Sequence, residues 1–141
     1  MHQPAFATQR FLVVEDEPLI AIALQHLLEQ EGATVIQVHN VTRALQLVQT
    51  SPLSAGIIDI GLGDDNAGPI CDALDRRRVP FIFFTGQSDA ALHRWPFIPV
   101  VEKPAMPEVI VGAIKYAIAA GTRDIPSTTP DEADAKARSA D

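Results

Sequence analysis

The feature that most constrains the fold is a regular alternation of short apolar segments with segments of helical periodicity. Five segments rich in β-branched and aromatic residues are predicted strands, at residues 10–14, 33–38, 55–60, 79–84 and 98–101. A predicted helix follows each strand, although the one at residues 88–94 has room for only about two turns. This alternation is typical of a parallel sheet with helices on both faces, so we predict a doubly wound α/β fold.

The predicted helices carry end signals that fix their approximate limits. Pro18 suits the first turn of a helix, where its missing N–H costs nothing, and Gly32 supplies a stop for the same helix. Asn40 can cap the second helix with its side chain. Pro107 opens the last helix, and Gly121 is expected to end it.

The length of 141 residues suits one domain with its own core, which we place at residues 10–121. Residues 1–9 are predicted to be a loose lead-in. Residues 122–141 combine Pro, Ser, Thr, Ala and charge with few residues to bury, so we predict a disordered tail and no second domain.

Composition narrows the classes of partner and compartment. The net charge of −7 argues against nonspecific binding to nucleic acid, which requires a basic surface. The single cysteine excludes an internal disulfide framework and fits a reducing compartment. We see no signal peptide and no apolar run long enough to cross a bilayer, and we therefore expect a cytoplasmic protein without membrane insertion.

Polar side chains follow four of the predicted strands. Glu15 and Asp16 follow the first strand, Asp59 the third, Thr85 the fourth and Lys103 the fifth. The carboxyl ends of parallel strands meet at one edge of the sheet, which is where open α/β folds bind ligands. Because the first and third strands are neighbours in a doubly wound sheet, we expect the three carboxylates to lie close together.

Three carboxylates in close contact are unfavourable unless a cation lies among them. Mg²⁺ is the natural ion for carboxylate, carbonyl and water ligands, and Mn²⁺ is an alternative. Lys103 and Thr85 would then hold the oxygens of a phosphoryl group attached to Asp59, since an aspartate can accept a phosphoryl group.

Four segments, in this order, resemble the receiver domains of two-component response regulators. They are residues 13–17 (Val-Val-Glu-Asp-Glu), 57–59 (Ile-Ile-Asp), 84–86 (Phe-Thr-Gly) and 102–104 (Glu-Lys-Pro), and the resemblance spans about residues 10–121. It implies a flavodoxin/CheY-like sheet with strand order 2-1-3-4-5, here with a shortened fourth helix.

The resemblance also implies a chemistry. Asp59 would be phosphorylated by a histidine kinase or a histidine phosphotransfer protein, and Thr85 and Lys103 would be the switch residues that contact the phosphoryl group. The Mg²⁺ ion would be held by Glu15, Asp16, Asp59 and the backbone carbonyl of Gly61. The protein would be a phosphoacceptor and not an enzyme, apart from self-phosphorylation from small donors and self-dephosphorylation.

The chain departs from the family pattern at the switch. The family usually has an aromatic residue three positions before its lysine, and this chain has Val100 there. Residues 81–86 look like the Phe-Ala-Thr-Gly signature of the FAT GUY subfamily of single-domain receivers. The loop after Asp59 is rich in glycine and lacks the usual Met-Pro or Leu-Pro.

These features predict a stand-alone receiver, monomeric or dimerising on phosphorylation, that signals through protein contact or acts as a relay intermediate or phosphate sink. The candidate output surface is formed by the last two strands and the final helix, with Gly86, Trp95, Phe97 and Val100. A simpler interpretation of Trp95 and Phe97 is that they pack a shortened segment. Downstream partners are expected to be proteins.

Two other functional classes stay open at this stage. A pseudo-receiver would be an interaction module without phosphoryl turnover, although the complete set of acids, Thr85 and Lys103 argues against it. A phosphoaspartyl hydrolase needs a second acid two residues after its nucleophile, and that position holds Gly61. Glu17 is interpreted as a helix-start charge and not a metal ligand. Histidines 26, 39 and 93 and Cys71 share no ligand spacing and are interpreted as structural.

Overall fold

The computed structural model describes residues 2–62, 65–86 and 95–123. Five strands form one parallel sheet in the order β2-β1-β3-β6-β7, which confirms the predicted doubly wound fold. The elements are β1 (Arg10–Val14), α1 (Pro18–Gln30), β2 (Thr34–Val38), α2 (Val41–Thr50), β3 (Ala55–Ile58), β4 (Gly61–Leu62), β5 (Asp65–Asn66), α3 (Gly68–Arg76), β6 (Phe81–Thr85), β7 (Val100–Glu102) and α4 (Pro107–Arg123).

The strand register places the functional residues side by side at the carboxyl end of the sheet. Val14 is paired with Ile58 across β1 and β3, so the next residues, Glu15 and Asp59, are neighbours. The Asp59 amide also donates a hydrogen bond to the Val14 carbonyl at 3.0 Å, which extends the pairing by one step.

The predicted helix ends of α1 and α2 are confirmed. Pro18 is at the start of α1, and Gly32 follows its end with a φ of 91°. The Gly32 amide donates a hydrogen bond to the Glu29 carbonyl in the last turn of the helix. This bond and the positive φ of Gly32 are typical of a glycine that ends a helix. At α2, the Arg43 amide donates to Asn40 Oδ1 at 2.9 Å.

Alternate residues of β1 pack into two separate apolar cores. Leu12 and Val14 face α2 and α3, while Phe11 and Val13 face α1 and α4. Both faces of the sheet are therefore covered, as the continuous apolar runs predict.

The N-terminal segment is not a loose lead-in. Phe6 is 2% exposed, and its ring meets the Phe11 ring edge-on at 4.9 Å between centroids. The Phe6 amide donates to the Glu31 carbonyl at 2.8 Å, and the Ala5 amide donates to the Glu31 carboxylate at 2.9 Å. The segment around Phe6 thus packs against the folded domain, contrary to the predicted loose lead-in.

Several other predicted limits also shift. The glycine-rich segment after Asp59 contains a short antiparallel pair, β4 and β5, where only a loop was predicted. Helix α4 continues past Gly121 to Arg123, because Gly121 keeps a helical backbone and lacks the positive φ that ends α1. The predicted helix at 88–94 and the predicted tail from 124 onward lie outside the described residues. No helix in the described ranges is both long and apolar enough to cross a membrane.

Candidate functional site

Glu15 and Asp59 form the buried base of the candidate site. Each residue directly follows a central strand, and they are only 1% and 4% exposed. The site therefore places two acids where water solvates them poorly, which is unfavourable without a compensating cation.

Lys103 supplies one such cation from the end of β7. Its ammonium nitrogen lies 2.9 Å from Glu15 Oε1, 3.0 Å from Asp59 Oδ2 and 3.1 Å from Glu17 Oε2. The Lys103 amide donates to the Thr85 carbonyl at 3.0 Å, and the Lys103-Pro104 peptide bond is cis. The structure thus brings together the predicted lysine and the predicted phosphoacceptor.

The close contact of these charges shifts two pKa values. Burial raises the pKa of Glu15 to about 7; the Lys103 hydrogen bond opposes this rise and the Asp59 charge adds to it. Burial alone would lower the pKa of Lys103, but hydrogen bonds to Glu15, Asp59 and Glu17 raise it above its ordinary range. Lys103 is therefore a permanent cation in the site, and the Glu15 carboxyl accepts a proton near neutral pH.

Four carboxylates converge at this edge. One oxygen from each of Glu15, Asp16, Glu17 and Asp59 lies within 4.8 Å of the others, with Glu15 and Asp59 buried and the other two exposed. A cluster of hard oxygen donors open to solvent on one side fits Mg²⁺, which binds few protein carboxylates and keeps several waters. The three carboxylates predicted to bind the metal, those of Glu15, Asp16 and Asp59, therefore lie within reach of a single ion.

Two further predicted site residues, Gly61 and Thr85, lie at the carboxyl end of the sheet. The Gly61 amide donates to Asp59 Oδ1 at 3.1 Å, so the start of β4 fixes the orientation of the carboxylate. Thr85 ends β6 with a relative exposure of 0%. Gly61 thus contacts the predicted phosphoacceptor directly, and Thr85 is joined to Lys103 through its backbone carbonyl.

The four residues of the candidate output surface differ in exposure. Phe97 is 94% exposed, so the simpler interpretation of packing was wrong for this residue. Trp95 packs edge-on against Phe81, with ring centroids 6.0 Å apart, as the packing interpretation predicts. Val100 is partly buried and pairs with Phe83. Gly86 is exposed, and among the described residues a Cβ added there would meet open space.

Sequence reasoning missed two contacts of the site. Glu17 lies at the start of α1 as predicted, but its side chain pairs with Lys103. His39 Nδ1 lies 2.9 Å from the Glu15 carbonyl oxygen, which is a hydrogen bond when Nδ1 carries the proton. The position of Glu17 next to the acid pair was a usable signal, whereas no local pattern linked His39 to Glu15.

Comparison with known proteins agrees with this geometry. The family model described as the response regulator receiver domain matches residues 11–115. The phyllosphere-induced regulator PhyR of Methylorubrum extorquens is 34% identical over 113 residues, covering 76% of this chain and 42% of PhyR. The TorCAD operon transcriptional regulatory protein TorR of Escherichia coli O157:H7 is 35% identical over 79 residues, covering 55% of this chain and 34% of TorR. The matches thus span less than half the length of these curated relatives.

Solved structures show the same architecture. The solution structure of SdrG from Sphingomonas melonis Fr1 is 35% identical in sequence, with a TM-score of 0.67. The match covers 84% of this chain and 98% of SdrG. The receiver domain of the sensor histidine kinase PA1611 from Pseudomonas aeruginosa PAO1 is 20% identical with a TM-score of 0.71, covering 80% of this chain and 99% of that domain. That crystal structure holds a magnesium ion in its active-site cleft and at this identity supports the fold alone. Because the family model matches most of the chain and the fold is the same, this chain belongs to the family of response regulator receiver domains.

Proposed function

We propose that this receiver accepts a phosphoryl group on Asp59 in a reaction that depends on Mg²⁺. The observation that carries the proposal is the contact of the Lys103 ammonium with Asp59 at 3.0 Å and with Glu15 at 2.9 Å. A lysine in this position can neutralise negative charge on the oxygens of a phosphoryl group attached to Asp59. The neighbouring carboxylates can supply ligands to a metal ion.

The residues proposed to hold Mg²⁺ are Glu15, Asp16, Asp59 and the backbone carbonyl of Gly61. The convergence of the three carboxylates supports this set. When bound, the ion would neutralise the phosphoryl oxygens and offset repulsion from the acids. A bound ion would also favour the ionised form of Glu15, since a carboxylate must be deprotonated to bind a metal.

The transfer itself exchanges one bond to phosphorus for another. Receiver domains obtain their phosphoryl group from histidine kinases or histidine phosphotransfer proteins. A carboxylate oxygen of Asp59 forms the new bond to phosphorus while the phosphorus–nitrogen bond of the donor histidine breaks, and the electron pair stays on the imidazole. Lys103 and Thr85 then contact the phosphoryl oxygens, so the chain acts as a phosphoacceptor and not as an enzyme with a separate substrate.

We further propose that the receiver is cytoplasmic and monomeric or dimerising on phosphorylation, and that its output is protein contact, phosphoryl relay or a phosphate sink. The net charge of −7 argues against nucleic acid as its target. The exposed Phe97 ring supports a protein contact at the candidate output surface. Membership of the FAT GUY subfamily stays a prediction from residues 81–86.

An amide NMR titration tests the proposal. The wild-type protein is titrated first with Mg²⁺ and then with beryllofluoride, which adds to an aspartate carboxylate as a phosphoryl mimic and needs no cognate kinase. We expect shifts at Asp59, Thr85 and Lys103 that spread into residues 95–100. The matched control is Asp59→Asn, which keeps the size of the side chain and removes the acceptor oxygen charge.

Three results would distinguish the candidate functions. Mg²⁺ and beryllofluoride responses that disappear in Asp59→Asn would support the phosphoacceptor. A response to Mg²⁺ without one to beryllofluoride would favour the pseudo-receiver, an interaction module without phosphoryl turnover. No response to either ligand would refute the phosphoryl switch.

A further inference from the structure

Glu17 occupies the capping position of α1 but does not use its side chain as a cap. In the part of the chain that the structure describes, this carboxylate makes no hydrogen bond to the first turn of the helix. Its Oε2 atom lies 3.1 Å from the ammonium of Lys103, across the site. A carboxylate at a helix start normally gains from the helix N–H groups and dipole, so its contact with Lys103 invites a functional explanation.

The Lys103 ammonium has three hydrogens to donate, and three carboxylates contact it. The distances are 2.9 Å to Glu15, 3.0 Å to Asp59 and 3.1 Å to Glu17. All donor capacity is therefore engaged before any phosphoryl group arrives. Once Asp59 carries a phosphoryl group, Lys103 can donate to a phosphoryl oxygen only if one existing contact gives way.

Exposure identifies the contact that is released most easily. The Glu17 side chain is 59% exposed, whereas those of Glu15 and Asp59 are 2% and 5% exposed. Water can solvate a released Glu17 carboxylate, but a released Glu15 carboxylate would stay buried without its cation. The Glu17 amide also donates to Glu15 Oε2 at 3.2 Å, so the backbone is held while the side chain is free to turn outward.

We propose that Glu17 is a positioning residue that holds the Lys103 ammonium in the unphosphorylated protein and competes with the phosphoryl group for it. This inference rests on the proposed phosphoacceptor function. Its consequence is that Glu17 weakens the binding of a phosphoryl group and thereby favours the unphosphorylated arrangement of Lys103.

The test compares beryllofluoride affinity at saturating Mg²⁺ for wild type, Glu17→Gln and the control Glu29→Gln. Glu29 lies on the same helix, is exposed, and contacts Gln25 instead of the site. Since exposed ion pairs contribute little, we expect Glu17→Gln to tighten beryllofluoride binding by about threefold, with Glu29→Gln equal to wild type. The Mg²⁺ affinity of each variant is measured in the same titrations.

Loss of a negative charge near an anion could produce the same tightening without Lys103, so the comparison is repeated in Lys103→Met. If Glu17 acts through Lys103, the gain from Glu17→Gln disappears in the Lys103→Met background. A second measurement follows the carbon-bound Lys103 ε-proton NMR signals of the metal-free protein. We expect these signals to move in Glu17→Gln and to stay in place in Glu29→Gln.

The outcomes separate this inference from the function on which it rests. Wild type that binds beryllofluoride no more weakly than Glu17→Gln would overturn the role of Glu17 and leave the phosphoacceptor intact. An equal gain in the Lys103→Met background would also overturn it, because the effect would be general charge repulsion. A tenfold or greater loss of Mg²⁺ affinity in Glu17→Gln, by order of magnitude the effect of losing a metal contact, would show a ligand instead. Failure of wild type to bind beryllofluoride at all would overturn both proposals.

Discussion

The two ends of the parallel sheet bury different kinds of side chain. At the carboxyl end lie the buried charged and polar residues of the described ranges, Glu15, Asp59 and Thr85. At the amino end, the N-terminal segment contributes the apolar Phe6 ring, and its Ala5 and Phe6 amides donate hydrogen bonds to the carboxylate and the carbonyl of Glu31. One end keeps charge buried for chemistry, and the other removes apolar surface from water.

The comparison shows which buried groups stabilise the domain at every pH and which do so only when their charges are balanced. Burial of an aromatic ring against another ring is favourable at any pH. Burial of two acids beside one lysine is favourable only while the charges balance. Substitutions at the amino end should therefore change stability without changing ligand binding, and substitutions of the two buried acids at the carboxyl end should change both.

The largest expected effect is at the amino end. Phe6→Ala should lower the free energy of unfolding by about 3 kcal/mol, because it removes a buried ring and leaves a cavity against Phe11. Urea unfolding measures the loss, and a parallel titration should show unchanged Mg²⁺ affinity.

Phe97→Ala is the matched control, since it removes the same ring from a site that is 94% exposed. It should change the free energy of unfolding by less than about 0.5 kcal/mol. If Phe6→Ala were equally mild, the N-terminal segment would not contribute to the fold, and the contrast between the two ends would fail.

The next effect is a pH dependence at the carboxyl end. The pKa of Glu15 is about 7 in the folded metal-free protein and near its ordinary value of 4.5 when unfolded. Between these values the unfolded chain ionises first, so stability falls as pH rises, and the loss is complete above about 7. Relative to Glu15→Gln, wild type should lose on the order of 2 kcal/mol between pH 4.5 and pH 8.

Unfolding curves of the two proteins across this pH range measure the effect, and Glu29→Gln should follow wild type throughout. Saturating Mg²⁺ should shrink the difference, because a metal favours the ionised carboxylate. A difference that is flat with pH would mean that burial of Glu15 carries no electrostatic cost.

The smallest effect compares the two helices that begin at the carboxyl end. Asn40 caps α2 through its hydrogen bond from Arg43, so Asn40→Ala should cost about 1 kcal/mol. Glu17 makes no equivalent cap within the described structure, so Glu17→Gln should leave thermal stability nearly unchanged. Thermal unfolding at saturating Mg²⁺ measures both, and equal losses would contradict this difference between the two helix starts.

Most of the fold and much of the site followed from local patterns. The strands were predictable because buried parallel strands are continuous apolar runs, and Asp59 and Lys103 stood out because each directly follows such a run. Asn40 and Gly32 were predictable because capping and a positive φ are properties of one or two residues.

The predictions that failed concern features that depend on contacts distant in sequence or on the backbone conformation in the fold. Phe6 looked like part of a loose lead-in because its partner Phe11 lies across a turn and its hydrogen-bond partner Glu31 is distant in sequence. Gly121 looked like a helix stop, although glycine ends a helix only when its backbone takes a positive φ. The pairing of Glu17 with Lys103 joins residues 86 positions apart, which no periodicity reports.

The sequence by itself determined the alternation of strands and helices, the edge at which the acids and the lysine meet, and the family resemblance. Those properties depend on residue type and spacing along the chain. Only the tertiary structure decided which carboxylates hold Lys103, how far burial raises the pKa of Glu15, and that Phe6 completes the core. Distances across the sheet and exclusion of water set these properties, and both exist only once the chain has folded.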